Sequence, residues 1–367
     1  PCHQQAHPPQ KADPGGNPAR KLSLFRIRAT SVLPWKQERI PSTIPLNTYW
    51  NLSKPFIPSK HKNGAIRRVN VNIAATTVEN YRKLHDAGIG TYILFQETYH
   101  KESYEQLHPW GPKHDYAYHT EAMDRAMEGG IDDVGLGVLF GLDKYRYEFA
   151  GILMHAEHLE AVHGVGPHTI SVPRICPADD IDPSAFSNAI SDDTFAKIVA
   201  CIRIAVPYTG MIVSTRESQR CRERVLHLGI SQISGGSRTS VGGYTEEERP
   251  EDTVQFDISD RRSLDEVVCW LMEMGYVPSF CTACYREGRT GDRFMSLCKS
   301  GQIQNCCLPN ALMTLKEYLQ DYASAKTRTL GDTMIQSQLQ DIPNEKVRKI
   351  VEERLVKIAG GERDFRF

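Results

Sequence analysis

No run of eighteen apolar residues occurs in the 367-residue sequence, so it offers no candidate for a membrane-spanning helix. Neither sign of charge is in excess, with 44 lysines and arginines against 45 aspartates and glutamates. A net charge of −1 gives no general pull toward nucleic acid or an anionic membrane, and neither is expected as a partner. The opening residues, PCHQQAHPPQKADPGG, lack a basic start followed by an apolar core, and so do not read as a secretory signal. What is present, 40% hydrophobic and 24% charged residues, is the profile of an ordinary globular protein. Its length suits one α/β barrel with an extension, or two smaller domains. Ten cysteines without a secretory signal point to a reducing, cytoplasmic setting. There a tight CxxC marks a metal or redox site more readily than a disulfide.

From Ile66 onward one pattern repeats: a short β-branched run, a turn, then a helix-period segment. The candidate strands are residues 66–74 (IRRVNVNIA), 90–96 (GTYILFQ), 133–140 (DVGLGVLF), 168–173 (HTISVP), 210–215 (GMIVST) and 230–234 (ISQIS). Amphipathic segments such as VENYRKLHDAG and YEFAGILMHAEHLEAVHG lie between them, with apolar residues recurring at three and four. Near-continuous apolar strands alternating with helices predict a parallel sheet buried on both faces. The fold class is therefore α/β, a partial (β/α) TIM-type barrel. About six βα units are recognisable, short of the eight that close such a barrel.

Functional residues of such a barrel belong where strands end and βα loops begin. That rule selects Asn72 and Thr76, Gln96 and Glu97, Arg174, then Ser214 and Arg216, and the glycine-rich loop 235–244. Singly, each reads as a capping or loop residue; polar side chains at the same end of five strands read as a site. Residues 1–62 differ in character, because their proline density excludes long helices and central strands. They are expected to be divergent and mostly irregular, ahead of a barrel at 63–275 and an extension at 276–367. Within that extension NALMTLKEYLQDYA and EKVRKIVEERLVKIAGG are helix patterns.

Five cysteines cluster between residues 280 and 310. Cys281, Cys284 and Cys307 read C-x2-C-x22-C. A structural zinc site needs four ligands; Cys298 or Cys306 would have to supply the fourth, and neither completes a second CxxC. Three thiolates suit a 4Fe-4S cluster with one iron left open. A redox CxxC should open a helix after a strand, whereas SFCTACYREGRTGD leads into a glycine-rich loop. The spacing ranks an iron–sulfur site above zinc, and both above thiol exchange. Cys298 and Cys306 are expected to be bystanders, with Cys306 pointing away from its neighbour in an extended segment.

The stretches CTACYREGRTGDRFMSLCKSGQIQNCCLPNALMTLKEYL, RRVNVNIAATTVENY, LFQETYHKESYEQLHPWGPKHDYAYH and GVGPHTISVPR resemble the diiron (FeFe) hydrogenase maturase family of radical-SAM tyrosine lyases. The likeness runs from about Lys60 to Phe367. It implies a radical-SAM barrel with a C-terminal iron–sulfur extension. It further implies S-adenosyl-L-methionine (SAM) as cofactor, and cleavage of tyrosine to p-cresol and dehydroglycine. Carbon monoxide and cyanide would then form on iron, with cysteine, iron and hydrogenase maturation proteins as partners.

By the same resemblance, Cys281, Cys284 and Cys307 are ligands of a C-terminal 4Fe-4S cluster, and Ser214 with Arg216 clamps the tyrosine carboxylate. An Arg fork beside a hydroxyl is also what carboxylate recognition requires. Gln96, Glu97 and Arg174 would contact SAM or tyrosine. His158, with His168 as the alternative, would bind an additional iron. Members of the family hold a first 4Fe-4S cluster with C-x3-C-x2-C after the first strand. These 367 residues contain no such motif, Cys2 being the sole cysteine before Cys176. That first cluster is expected to be absent here, and the chain as written to be unable to generate the radical. The alternatives are a non-catalytic, truncated or frameshifted iron–sulfur-binding remnant and a thiamine-pathway tyrosine lyase. The C-x2-C-x22-C extension speaks against the latter.

Overall fold

The structure, a computed structural model, describes residues 24–29, 60–61, 64–65, 67–175, 186–237 and 258–367. In chain order the strands are β1 (Leu24–Ala29), β2 (Lys60–His61), β3 (Gly64–Ala65), β4 (Tyr92–Ile93), β5 (Val134–Gly137), β6 (Thr169–Ser171), β7 (Gly210–Val213), β8 (Gln232–Gly235) and β9 (Val277–Ser279). The chain divides into two compact units. One combines β1 with residues 231–237 and 261–367; the other takes in the described residues between 31 and 230 together with 258–260.

In the second unit β4, β5, β6 and β7 are parallel neighbours. Tyr92 lies beside Val134, Gly135 beside Thr169, and Ile170 beside Met211. Every residue of these strands is buried, as strands covered on both faces must be. Helices Tyr145–His163, Asp192–Ala205 and Gln219–Leu226 follow β5, β6 and β7 respectively, which is the βα order read from the sequence. Their starts are chemically marked: Ser191 and Ser218 accept from the backbone N–H of Thr194 and Cys221, satisfying otherwise orphaned donors. On the helix Tyr145–His163 a Cβ at Gly151 would lie 2.4 Å from Cγ of Tyr99. Glycine there lets the Tyr99 ring lie against the helix and its hydroxyl reach Nδ1 of His155 at 3.0 Å. The antiparallel pair β2–β3 also belongs to this unit.

In the first unit β1 lies between β8 and β9, parallel to both. Ile27 sits beside Ile233, and Leu24 beside Val277. Helix Leu264–Glu273 opens on a capping box between Ser263 and Glu266. Helices Gln304–Asp321, Ala325–Leu339 and Glu345–Ala359 follow. Their apolar faces meet in a core that includes Leu271, Leu312, Leu315, Leu319, Val351 and Ile358. Each such side chain contributes roughly 1.5–3 kcal/mol on burial. The architecture is a partial parallel (β/α) barrel with a mainly helical C-terminal extension.

Three local expectations change. Of the run 66–74, the described residues 67–74 do not form a full strand. Gly90 N–H donates to Val69 O, Val71 N–H to Thr91 O and Ile93 N–H to Val71 O, but only Val71 and Tyr92 make a bridge. Within the stretch read as irregular, Leu24–Ala29 is a strand. β9 was hidden by Pro278, which fits because among the described strands β9 pairs on one side only, with β1. Proline, lacking an N–H, is at home on such an edge. No helix among the described residues is long and apolar enough to cross a membrane.

Candidate functional site

The C-terminal ends of the parallel strands in the second unit carry the residues selected from the sequence. Beyond β4 the ladder continues, with Gln96 N–H donating to Gly137 O at 2.8 Å. Gln96 is buried, and its Nε2 donates to Oγ1 of Thr120 at 2.8 Å. Glu97 then takes φ = 65°, and Thr98 N–H donates to Gln96 O across it at 2.9 Å. An i to i+2 bond around a positive central φ is a γ-turn of the strained kind, uncommon for a residue with a side chain. Nζ of Lys113 lies 2.6 Å from Oε1 of Glu97. The chain beyond the turn is held by Glu148, a fully buried carboxylate that accepts from the Thr98 hydroxyl and from Tyr99 N–H. Burial pushes the Glu148 carboxyl up, and the two donors work against that shift.

At the ends of β6 and β7 a cleft of about 240 Å³ is lined by Phe140, Arg174, Ile190, Arg216, Glu217 and Ser259, among others. The turn that carries Ser214 and Arg216 is fixed by backbone. Thr215 O accepts from Ser259 N–H and Asp260 N–H, both at 3.0 Å. Asp260 is in turn locked by a buried ion pair with Arg222. Arg216 N–H donates to Oγ of Ser214 at 3.3 Å, so the two residues of the proposed clamp form one local unit.

Arg174 lines the same cleft, but its guanidinium is engaged. Nε donates to Glu217 Oε1 at 2.9 Å and Nη2 donates to Glu217 Oε2. Nη2 also lies 2.9 Å from Oδ1 of Asp192 and donates to Sγ of Cys221 at 3.6 Å. The Phe195 ring stacks 4.6 Å below it. Burial works against the charge on Arg174; Glu217 more than offsets it and raises the pKa above the usual arginine value. Ligand atoms of Asp192, Glu217 and Cys221 lie within 4.8 Å of one another, close enough for a metal ion. Arg174 already bonds to all three, and burial followed by Glu217 pushes the Cys221 thiol up to about 12. The group is an arginine cradle with a thiol at its edge. Glu217 escaped the sequence reading, although it adjoins Arg216; its partner Arg174 is 43 positions away.

The two candidate histidines lie apart. His158, on the helix Tyr145–His163, is half exposed, with Nε2 2.7 Å from Oδ1 of Asp124; His163 Nε2 lies 3.0 Å from the same oxygen. His168 is buried immediately before β6, with Nε2 3.4 Å from Oδ2 of Asp133. Thr76 serves a helix start, accepting from Nδ2 of Asn80 at 2.8 Å. Of the loop 235–244, residues 238–244 lie outside the described residues, as does Cys176.

In the first unit the cysteine segment begins just after β9 and runs into a one-turn helix, Ala283–Arg286. Cys284 lies within this helix, so the CxxC opens a short helix after a strand where a loop was expected. Cys281, Cys284, Cys298 and Cys307 are all buried. Cys306 and Cys307 lie in the first turn of the helix Gln304–Asp321, not in an extended segment, so a pleat does not separate them. The difference is one of helix rotation: Cys307 faces the interior and Cys306 is partly exposed. Burial pushes the Cys298 thiol up to about 12. The Cys306 thiol is raised by burial, and the nearby Arg289 charge counters this.

A set of buried thiols is a donor set that fits an iron–sulfur cluster.

Residues 171–277 match the family model for the Biotin and Thiamin Synthesis associated domain. A crystal structure of HydG, a maturase of the FeFe-hydrogenase, is 58% identical to this chain. It superposes with a TM-score of 0.85 over 89% of this chain and 70% of that one. The FeFe-hydrogenase maturase HydG from Carboxydothermus hydrogenoformans is 41% identical, with a TM-score of 0.70 over 85% of this chain and 68% of that one. The 2-iminoacetate synthase of Salmonella typhimurium is 30% identical over 57% of this chain and 55% of its own length. The chain spans about half the length of the curated relatives it matches.

Proposed function

This chain belongs to the HydG family of FeFe-hydrogenase maturases, and from that premise we propose that it serves a radical-SAM tyrosine lyase of the 2-iminoacetate synthase type. Tyrosine is broken between Cα and Cβ into p-cresol and dehydroglycine, and the smaller fragment is carried on to carbon monoxide and cyanide. The observation that carries this reading is 58% identity to a solved HydG across 89% of the chain. When bound, SAM and its cluster would supply the radical, and a C-terminal 4Fe-4S cluster an open iron.

In this reading Arg216 and Ser214 hold the tyrosine carboxylate at the cleft, the arginine by a planar fork and the serine by a hydroxyl. Because Arg174 is committed to Glu217, it shapes the cleft wall and keeps that carboxylate from competing for Arg216. Gln96 and Glu97 face SAM or tyrosine from the end of β4. Cys281, Cys284 and Cys307 would hold the C-terminal cluster. His158 is favoured over His168 for the additional iron, because His158 is half exposed whereas His168 is buried at the N-terminal end of β6. Free cysteine, iron and other hydrogenase maturation proteins are the partners of this chemistry.

A thiamine-pathway lyase is the second reading, supported by the match over residues 171–277. That match ends before Cys281 and leaves the cysteine segment unaccounted for, which weighs against it.

Anaerobic loading of these 367 residues with iron and sulfide tests the assignment. We expect one 4Fe-4S cluster per chain, about four irons, lost in Cys281→Ser, Cys284→Ser and Cys307→Ser and kept in Cys298→Ser. With SAM, tyrosine and reductant these residues alone should form no p-cresol, since they contain no C-x3-C-x2-C. Two clusters, or tyrosine-dependent p-cresol, would overturn that expectation. Retention of the cluster in Cys307→Ser with loss in Cys298→Ser would move the third ligand to Cys298.

A further inference from the structure

The last seven residues of the sequence, Gly361–Phe367, have no helical or strand pattern. They are nonetheless tied down at almost every position, and the ties converge on the neighbours of the cysteines. Asp364 makes a two-pronged ion pair with Arg286, two residues beyond Cys284. Asn310, three residues beyond Cys307 and almost fully buried, uses its whole amide on one residue. Its Oδ1 accepts from Phe367 N–H at 2.9 Å, and its Nδ2 donates to Phe367 O at 3.4 Å. Arg289 also donates to Phe367 O, while its own N–H donates to Cys284 O at 2.7 Å. Arg366 pairs with Glu287, and Arg363 with Asp321. Glu317 accepts from Asp364 N–H at 2.6 Å, and Asp364 takes φ = 74° to present both its N–H and its carboxylate.

A segment that only ended a domain would not need a residue in the left-handed region and a buried asparagine spent on backbone. We propose that residues 361–367 are a strap that clamps the one-turn helix Ala283–Arg286 to the helix Gln304–Asp321, sealing the Cys281–Cys284–Cys307 thiols from solvent and fixing Arg289, whose N–H bonds the Cys284 carbonyl, in that segment. For the bare thiols this means protection from reagents. For the iron–sulfur cluster placed there under the proposed function, on which this second consequence rests, it means slow loss of iron. Asn310 and Asp364 are then positioning residues, acting through the segments that carry the cysteines.

Two measurements on the whole chain test the strap and the cluster reading separately. In the metal-free protein, alkylation of Cys281, Cys284 and Cys307 by iodoacetamide is followed residue by residue. The wild type is compared with a chain ending at Gly360 and with Asp364→Asn, which keeps the side-chain shape and removes the charge. In the loaded protein, iron loss to a chelator is timed for the same three chains. Both variants should label faster at the three thiols, with Cys201 as an exposed internal reference that does not change. Iron loss should quicken roughly tenfold or more on removal of the strap, the scale on which outer-shell partners act on metal sites. Unchanged labelling in both variants overturns the proposal. If the shortened chain proves misfolded by circular dichroism, Asp364→Asn alone decides. If the wild type takes up no cluster while the variants still label faster, the strap stands and the cluster reading falls.

Discussion

The two ends of the parallel strands in the second unit use the same kinds of side chain to opposite effect. At the N-terminal ends of β4, β5 and β6, Arg68, Thr91, Asp133 and His168 close on one another. Arg68 donates to both Asp133 and Thr91, His168 lies 3.4 Å from the same carboxylate, and Asp133 is 1% exposed. At the C-terminal ends the charges border a cleft of about 240 Å³, and one residue beside them holds a strained backbone. In a (β/α) barrel the first pattern serves stability and the second serves chemistry. An arginine, an acid and a histidine in proximity therefore carry no functional meaning until their strand end is known.

The sharpest way to break this contrast is to cut the N-terminal cluster. Asp133→Ala removes the buried carboxylate paired with the Arg68 guanidinium, whose side chain is 10% exposed. Removing one partner of a buried ion pair costs about 3–5 kcal/mol. Denaturant unfolding should show a loss of that order, while cysteine labelling in the other unit stays the same. A loss below about 1 kcal/mol would put this pair in the class of surface salt bridges and dissolve the distinction between the two ends.

A change at the cleft should do the reverse. Arg216→Lys keeps the charge and gives up the fork. Tyrosine binding, measured by calorimetry, should weaken roughly tenfold to a hundredfold, matching about 1.5–3 kcal/mol for a charge-assisted hydrogen bond. The unfolding midpoint should hardly move. Unaltered tyrosine affinity would remove Arg216 from the clamp, and a fall in stability matching the fall in affinity would mark it as structural.

What was legible in the sequence and what was not follows from the range of the interactions. The strands β4 to β8 were readable because their signal, a β-branched run followed by an amphipathic helix, is local. β9 was not, since Pro278 is compatible with a strand only at an edge, and edges are a property of the assembled sheet. The polar residues at the strand ends were found by position alone. That Arg174 is saturated by Glu217, Asp192 and Cys221 depends on partners 18 to 47 positions away. The cysteine spacing was plain, but the pairing of Asp364 with Arg286 spans 78 positions and has no periodicity to announce it.

The smallest effect tests the strain itself. Glu97 sits at φ = 65°, where a side chain costs about 1–3 kcal/mol. Glycine is free of that cost but gives back about 0.5–1 kcal/mol in chain entropy. Both Glu97→Gly and Glu97→Ala lose the contact with Lys113. That contact is part-exposed and worth about 0–1 kcal/mol, so it cancels in the comparison between them. What remains is the backbone: Glu97→Gly should be more stable than Glu97→Ala by about 1 kcal/mol in thermal or denaturant unfolding. If alanine is equal or better, the turn carries no strain and Glu97 loses its claim to be held in place for function. If glycine wins on stability and yet SAM or tyrosine binds more weakly, the carboxylate is what the strained turn is there to present.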